Sequence, residues 1–134
     1  MAGPVIEYHR IGLLATCRGN ERIRIMADGR IDHGVNSREC EAGVLWSSDW
    51  QEAGRLDHEA MARLLAAVRH SGLLALPPSM IDEDAEGGRR EELRVSLDGA
   101  DHFYVVQNRD PPALRQVVRL LWDALAVVGL ARHD

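Results

Sequence analysis

The sequence predicts a single α+β domain over 1–134, with an antiparallel sheet of about four to six strands and two helices packed on one face. Three observations predict it. Asp28-Gly29 and Asp98-Gly99 each lie between runs of alternating apolar residues, the strongest short-range sign of a β-hairpin. Two further segments carry apolar residues at helical spacing, and each opens on an aspartate suited to capping, Asp57 and Asp110. The chain thus divides into a strand-rich half, 5–54, and a helix-hairpin-helix half, 57–130.

From Val5 to Thr16 the apolar residues alternate as Ile6 and Tyr8, then change phase to Ile11 and Leu13. One extra residue moves the apolar set to the other face, so a strand with a bulge near Arg10 to Gly12 is expected. The first hairpin follows, with Ile23 and Ile25 before the Asp-Gly turn and Ile31, His33 and Val35 after it. Arg22, Arg24, Arg30 and Asp32 then share the opposite face. They form either a solvated sheet face with cross-strand charge pairs or a recognition surface. Asn36 to Gly43 reads as a loop, Val44-Leu45-Trp46 as a short apolar run, and Ser48 with Gln51 as a capping box for one helical turn ended by Gly54. Trp46 and Trp50 fall in this irregular segment. A tryptophan there plugs a core edge or serves as a binding anchor.

Beyond Asp57, Met61, Leu64, Leu65 and Val68 repeat at helical spacing until Gly72, with His70 complementing the dipole in the last turn. Leu73, Leu74 and Leu76 lead into Pro77-Pro78, an extended segment whose leucines should fold back under the helix. Met80 to Arg90 combines like charges with Gly87-Gly88 and reads as a loop. Leu93, Val95 and Leu97 form one arm of the second hairpin, and His102 to Val106 the other. After Asp110, Pro111 and Pro112 suit a first helical turn, and Leu114, Val117, Val118, Leu121, Leu125 and Val128 trace an apolar stripe that should cover the sheet. Arg115, Gln116, Arg119 and Asp123 are expected to face water.

Composition narrows the function. A chain of 134 residues is long enough for one core, and with 46% hydrophobic residues but no apolar run of membrane-span length it reads as a soluble globule. Glu7, His9 and Arg10 interrupt the apolar region a secretory signal would need, so the expected location is cytoplasmic and no membrane partner is expected. All 16 basic residues are arginine, which removes a P-loop lysine and every Schiff-base mechanism. A net charge of −5 argues against general nucleic-acid binding. Cys17 and Cys40 lack the close spacing of a zinc knuckle or redox pair and read as reduced core or surface thiols.

Candidate chemical sites fail on spacing. Asp82, Asp84, Glu86 and Gly87 match the first, third, fifth and sixth positions of a calcium loop, but its twelfth position is Leu93. His58-Glu59 begins a zinc-protease helix motif that finds Ala62 where the second histidine belongs. His9, His33 and His102 would form a metal site only if their strands were neighbours in matching register. No nucleophile elbow, dinucleotide fingerprint or P-loop occurs. The residues therefore predict no catalytic, cofactor or metal site and a non-enzymatic chain. The candidate partner-binding residues are Arg22, Arg24, Arg30, Trp46, Trp50 and Tyr104, presented by the open sheet face, with the bulged first strand and the Trp46 to Trp50 segment as contact elements.

His70-Ser71-Gly72-Leu73-Leu74-Ala75-Leu76-Pro77, then Leu93-Arg94-Val95 with Gly99 and His102 across the turn, then Pro112-Ala113-Leu114-Arg115, resemble the emfourin-like proteins over 57–126. Arg22 to Gly54 is an addition to that pattern. The resemblance implies a proteinaceous inhibitor of thermolysin-type metalloproteases, which would occupy a protease cleft with a rigid element. Two other classes remain open at this point: an assembly or adaptor subunit, which predicts stable homodimerisation, and a small metal-dependent enzyme or sensor, which predicts convergent histidines.

Overall fold

The computed structural model describes residues 4–12, 20–36, 50–82 and 88–132. The first hairpin forms as predicted: β2 (Asn20–Met26) and β3 (Arg30–Asn36) are antiparallel, with Gly29 at φ 92° in the turn. A side chain at Gly29 would also strike the Leu56 carbonyl oxygen, whose residue donates its N–H to Gly29 O at 2.9 Å. β1 (Pro4–Gly12) lies between β2 and β6 (Arg89–Leu97) and pairs antiparallel with both. Its register irregularity falls between Pro4 and Ile6, not at Arg10 to Gly12, and pairing with β6 runs unbroken from Ile6 to Gly12. The phase change in the sequence therefore marks no bulge. Ile11 sits on the face opposite Ile6 and Tyr8.

Three strands exceed or displace the expectation. Gln51–Arg55 is an edge strand, β4, against β3, where one helical turn was predicted. Gly54 is not a helix stop; a Cβ there would lie 2.6 Å from the Val128 side chain, so glycine permits close approach of β4 to the last helix. β5 (Ser79–Ile81) occupies the start of the predicted loop. Pro77 and Pro78 force an extended backbone, and Val105 N donates to Pro78 O at 2.9 Å, which begins a parallel pairing with β7 (Ala100–Gln107). β6 starts at Arg89, four residues before Leu93, because charged Glu91 occupies an inward position and hides the alternation. Among the described residues the sheet thus has seven strands in the order β4-β3-β2-β1-β6-β7-β5, antiparallel except for the β5–β7 pair. Four to six antiparallel strands undercounted it.

Both helices pack on one face. α1 (His58–His70) starts where Asp57 Oδ1 accepts from Ala60 N at 2.7 Å and ends at Ser71, before Gly72 at φ 86°. Leu73 and Leu76 fold against the core through a 3₁₀ turn, whereas Leu74 stays exposed. α2 (Pro112–Arg132) lays Leu114, Val117, Val118, Leu121 and Val128 over Ile6, Tyr8, Ile23, Ile25, Ile31, Leu93 and Val95. Each fully buried aliphatic side chain contributes about 1.5–3 kcal/mol, so this layer contact is the main source of stability.

Replacing Gly54 by alanine should push β4 off α2 and cost about 1–3 kcal/mol, read as a lowered urea midpoint with an unchanged slope.

Candidate functional site

The pairing register decides which residues share the sheet face opposite α1 and α2, which no helix among the described residues covers. One rung crosses the sheet as Glu52, Asp32, Arg24, Glu7, Arg94 and Phe103, and the next as Gly34, Arg22, His9, Glu92 and Val105. Arg24, Glu7 and Arg94 alternate in charge along the first, as stabilising cross-strand pairs do, whereas Glu52 and Asp32 are like charges side by side. Asp32, only 3% exposed, accepts from Arg24 Nε at 2.8 Å and Arg30 Nη2 at 3.3 Å. Two guanidinium groups thereby compensate one buried carboxylate. Glu7 meets His9 Nε2 at 2.9 Å, and this hydrogen bond, aided by the charges of His9, Arg24 and Arg94, holds its carboxyl below the ordinary value against the effect of burial.

Trp50 lies over this lattice. The Arg22 and Arg24 guanidinium carbons sit 4.1 and 4.3 Å from its ring centroid, and the His9 ring meets it edge-on at 6.1 Å. Both cations are well within the range of cation–π attraction. Gly34 makes this possible: a Cβ at that position would come within 2.6 Å of Arg22 Nε, so the absent side chain opens the path by which Arg22 crosses β3. At the other end of the rung, Arg94 lies 5.6 Å from the centroid of Phe103, which is 46% exposed.

Of the predicted partner-binding residues, Arg22, Arg24 and Trp50 come together, and Arg30 joins them through Asp32. Tyr104 does not belong to this face. It pairs with Leu93 on the helix side and is 4% exposed, because β7 starts at Ala100 and its inward set is 102, 104 and 106. Trp46 lies outside the described residues, as do Cys17, Cys40 and positions 83–87 of the acidic segment. The first strand is no contact edge, since β2 and β6 use its backbone groups on both sides. Phe103 was missed as a surface residue; an aromatic one position before a buried Tyr104 in an alternating strand was the available signal.

A second polar group lies beneath α2. Glu91, 1% exposed, accepts from the Tyr8 hydroxyl, from an Arg115 Nη and, at 3.2 Å, from Arg89 Nε. Arg115 was expected to face water, but the first turn of α2 aims it back at the sheet, where it also pairs with Asp110. Next to this group, Glu21 accepts from Arg10 Nη2 at 2.9 Å and meets His33 Nε2 at 3.3 Å, while Tyr8 and His33 pack edge-on against Trp122 at 6.3 and 6.1 Å. Burial and the hydrogen bond to Glu91 push the Tyr8 phenol well above its ordinary pKa. Within this group Glu91 and Glu21 each have cationic or hydroxyl partners among the described residues.

No family model matches the chain, and no curated protein matches it. Its chemistry must be read from its own geometry. His9 lies on the open face, whereas His33 and His102 lie on the helix side, with His102 on β7, four strands away from β3. Among the described residues no three potential ligands converge on a metal position.

Arg115→Met should leave Glu91 short of a cationic partner and cost about 3 kcal/mol in urea unfolding. The alkaline limb has a definite sign. Burial raises the pKa of both tyrosines, Tyr8 and Tyr104, in the folded chain, so the unfolded state releases its protons first, near pH 10. Stability is then fully present below about pH 10 and falls above it. Tyrosinate absorbance at 295 nm should rise only as the fold melts, and in the Tyr8→Phe variant the fall with pH should be shallower.

Proposed function

We propose that the chain is a non-enzymatic protein-binding domain whose contact surface is the helix-free face of the sheet, anchored by Trp50. One observation carries this reading: Trp50 is stacked with Arg22 and Arg24 on a face that no helix among the described residues covers. Tryptophan and arginine dominate binding hot spots. Their rotamers are already fixed here, by Asp32 on Arg24 and by the Gly34 gap under Arg22, so binding would spend little on ordering them. Phe103 and Arg94 extend the surface toward β7.

The resemblance of 57–126 to the emfourin-like proteins makes a thermolysin-type metalloprotease the partner class to test. In this reading inhibition comes from a rigid sheet face seated against the protease, since β1 is interior and cannot enter a cleft as a strand. Purified chain titrated against such a protease, with hydrolysis of a small peptide substrate followed over hours, should give stoichiometric inhibition. Trp50→Ala should weaken it by about 30-fold, corresponding to a hot-spot loss of about 2 kcal/mol, with an unchanged far-UV spectrum. Unaltered protease activity would remove the inhibitor role. Inhibition indifferent to Trp50→Ala would remove the sheet face as the contact.

A further inference from the structure

The last turns of α2 are apolar on their outward side too, and the sheet-face reading leaves them unused. From Ala124 to Ala131 the sequence has no charged or polar side chain, although only one side of α2 can face the sheet. A helix apolar on all sides needs cover on all sides. Val127 is the most exposed large hydrophobic residue among those described, at 61%. It borders a groove of about 360 Å³ between the helices, floored by Leu56, Ala60, Ala67 and Ala124. The same groove continues past Leu56 and Val127 to the Gly54–Arg55 end of β4.

The groove carries opposite charges on its two walls, Arg63 from α1 and Asp123 from α2. Arg63 has only a loose contact with Glu59, at 3.9 Å and with both side chains largely in water, which is worth little. A surface with one positive and one negative wall flanking an apolar floor is complementary to itself under a twofold rotation. Each copy would then place its Asp123 against the Arg63 of the other.

We propose that a second copy of this chain covers the helix layer, with α2 of each protomer seated in the groove of the other and Val127 inserted among its alanines. The occupant is identified by this self-complementarity of charge and by size. Helices of 13 and 21 residues measure about 20 and 31 Å. Side by side they present roughly 500 Å² in projection, the right order for the ~800 Å² of accessible surface each partner gives a standard interface. The assembly is a four-layer sandwich, sheet-helices-helices-sheet, with the Trp50 faces pointing outward at both ends.

Sedimentation velocity on the full chain between 1 and 100 µM should show a species of twice the 14.9 kDa protomer mass. Val127→Lys, which places a charge at an exposed position and so leaves the fold intact by thermal melting, should weaken self-association at least tenfold. Asp123→Arg should weaken it about tenfold, and adding Arg63→Asp to that variant should restore the wild-type constant within about threefold. A wild-type monomer at 100 µM would overturn the proposal and assign the groove to an apolar helix of another protein. A dimer insensitive to Val127→Lys, or a double variant no better than Asp123→Arg alone, would overturn it too.

Discussion

Glu91 sets a constraint that the rest of the structure has to meet. A carboxylate at 1% exposure is tolerable only with charged or hydrogen-bonding partners on most of its lone pairs. Its partners come from three places in the chain: Tyr8 on β1, Arg89 on its own strand and Arg115 in the first turn of α2. Satisfying them fixes the stagger of β6 on β1, aims the start of α2 at the sheet and defines how that helix is rotated. Removing one partner leaves a buried charge only partly compensated, so the network specifies one arrangement of strand and helix more sharply than apolar packing would.

With α2 held in this way, the sheet has two unlike faces. The covered face is aliphatic at its centre and polar at the end where Glu91, Glu21, Arg10 and His33 gather around Trp122. The open face is a lattice of both charge signs in which Arg24 and Arg90 lean on carboxylates and Arg22, Arg24 and Arg94 on aromatic rings. Trp50 and Phe103 add aromatic surface to it, Trp50 held there by two guanidinium groups. The cross-strand pairing expected of a solvated face and the stacking of Trp50 thus coexist, because Arg24 serves both.

Local signals were sufficient wherever the chemistry was local. Asp28-Gly29 and Asp98-Gly99 named their hairpins because φ > 0 is needed at the turn; Asp98 and Gly99 indeed adopt 54° and 79°. Asp57 named the start of α1 because its side chain closes on its own first turn. The errors arose where a residue answers to something distant in sequence. Gly54 read as a helix stop because the Val128 side chain that requires it is 74 positions further on. The inward Glu91 broke the alternation that would have extended β6, and Tyr104 read as outward because its phase depends on where β7 begins. Of the candidate site, Arg22, Arg24, Arg30 and Trp50 were legible as residue types, but their meeting was not.

The sequence by itself determined the α+β class, both hairpins, the Asp57 cap of α1 and the apolar stripe that puts α2 on the sheet, since each follows from spacing or from contacts within a few residues; Asp110, read as the cap of α2, lies two residues before that helix and pairs with Arg89 and Arg115. It also limited the chemistry, through the absence of lysine and of any complete catalytic or metal-binding motif. Only the tertiary structure decided that β1 is central, that β5 adds in parallel and that Arg115 turns inward to Glu91. It alone brought Trp50 across two strands onto Arg22 and Arg24. These outcomes depend on strand order and register, which are set by long-range burial and by pairing between segments that carry no mark of one another in the linear chain.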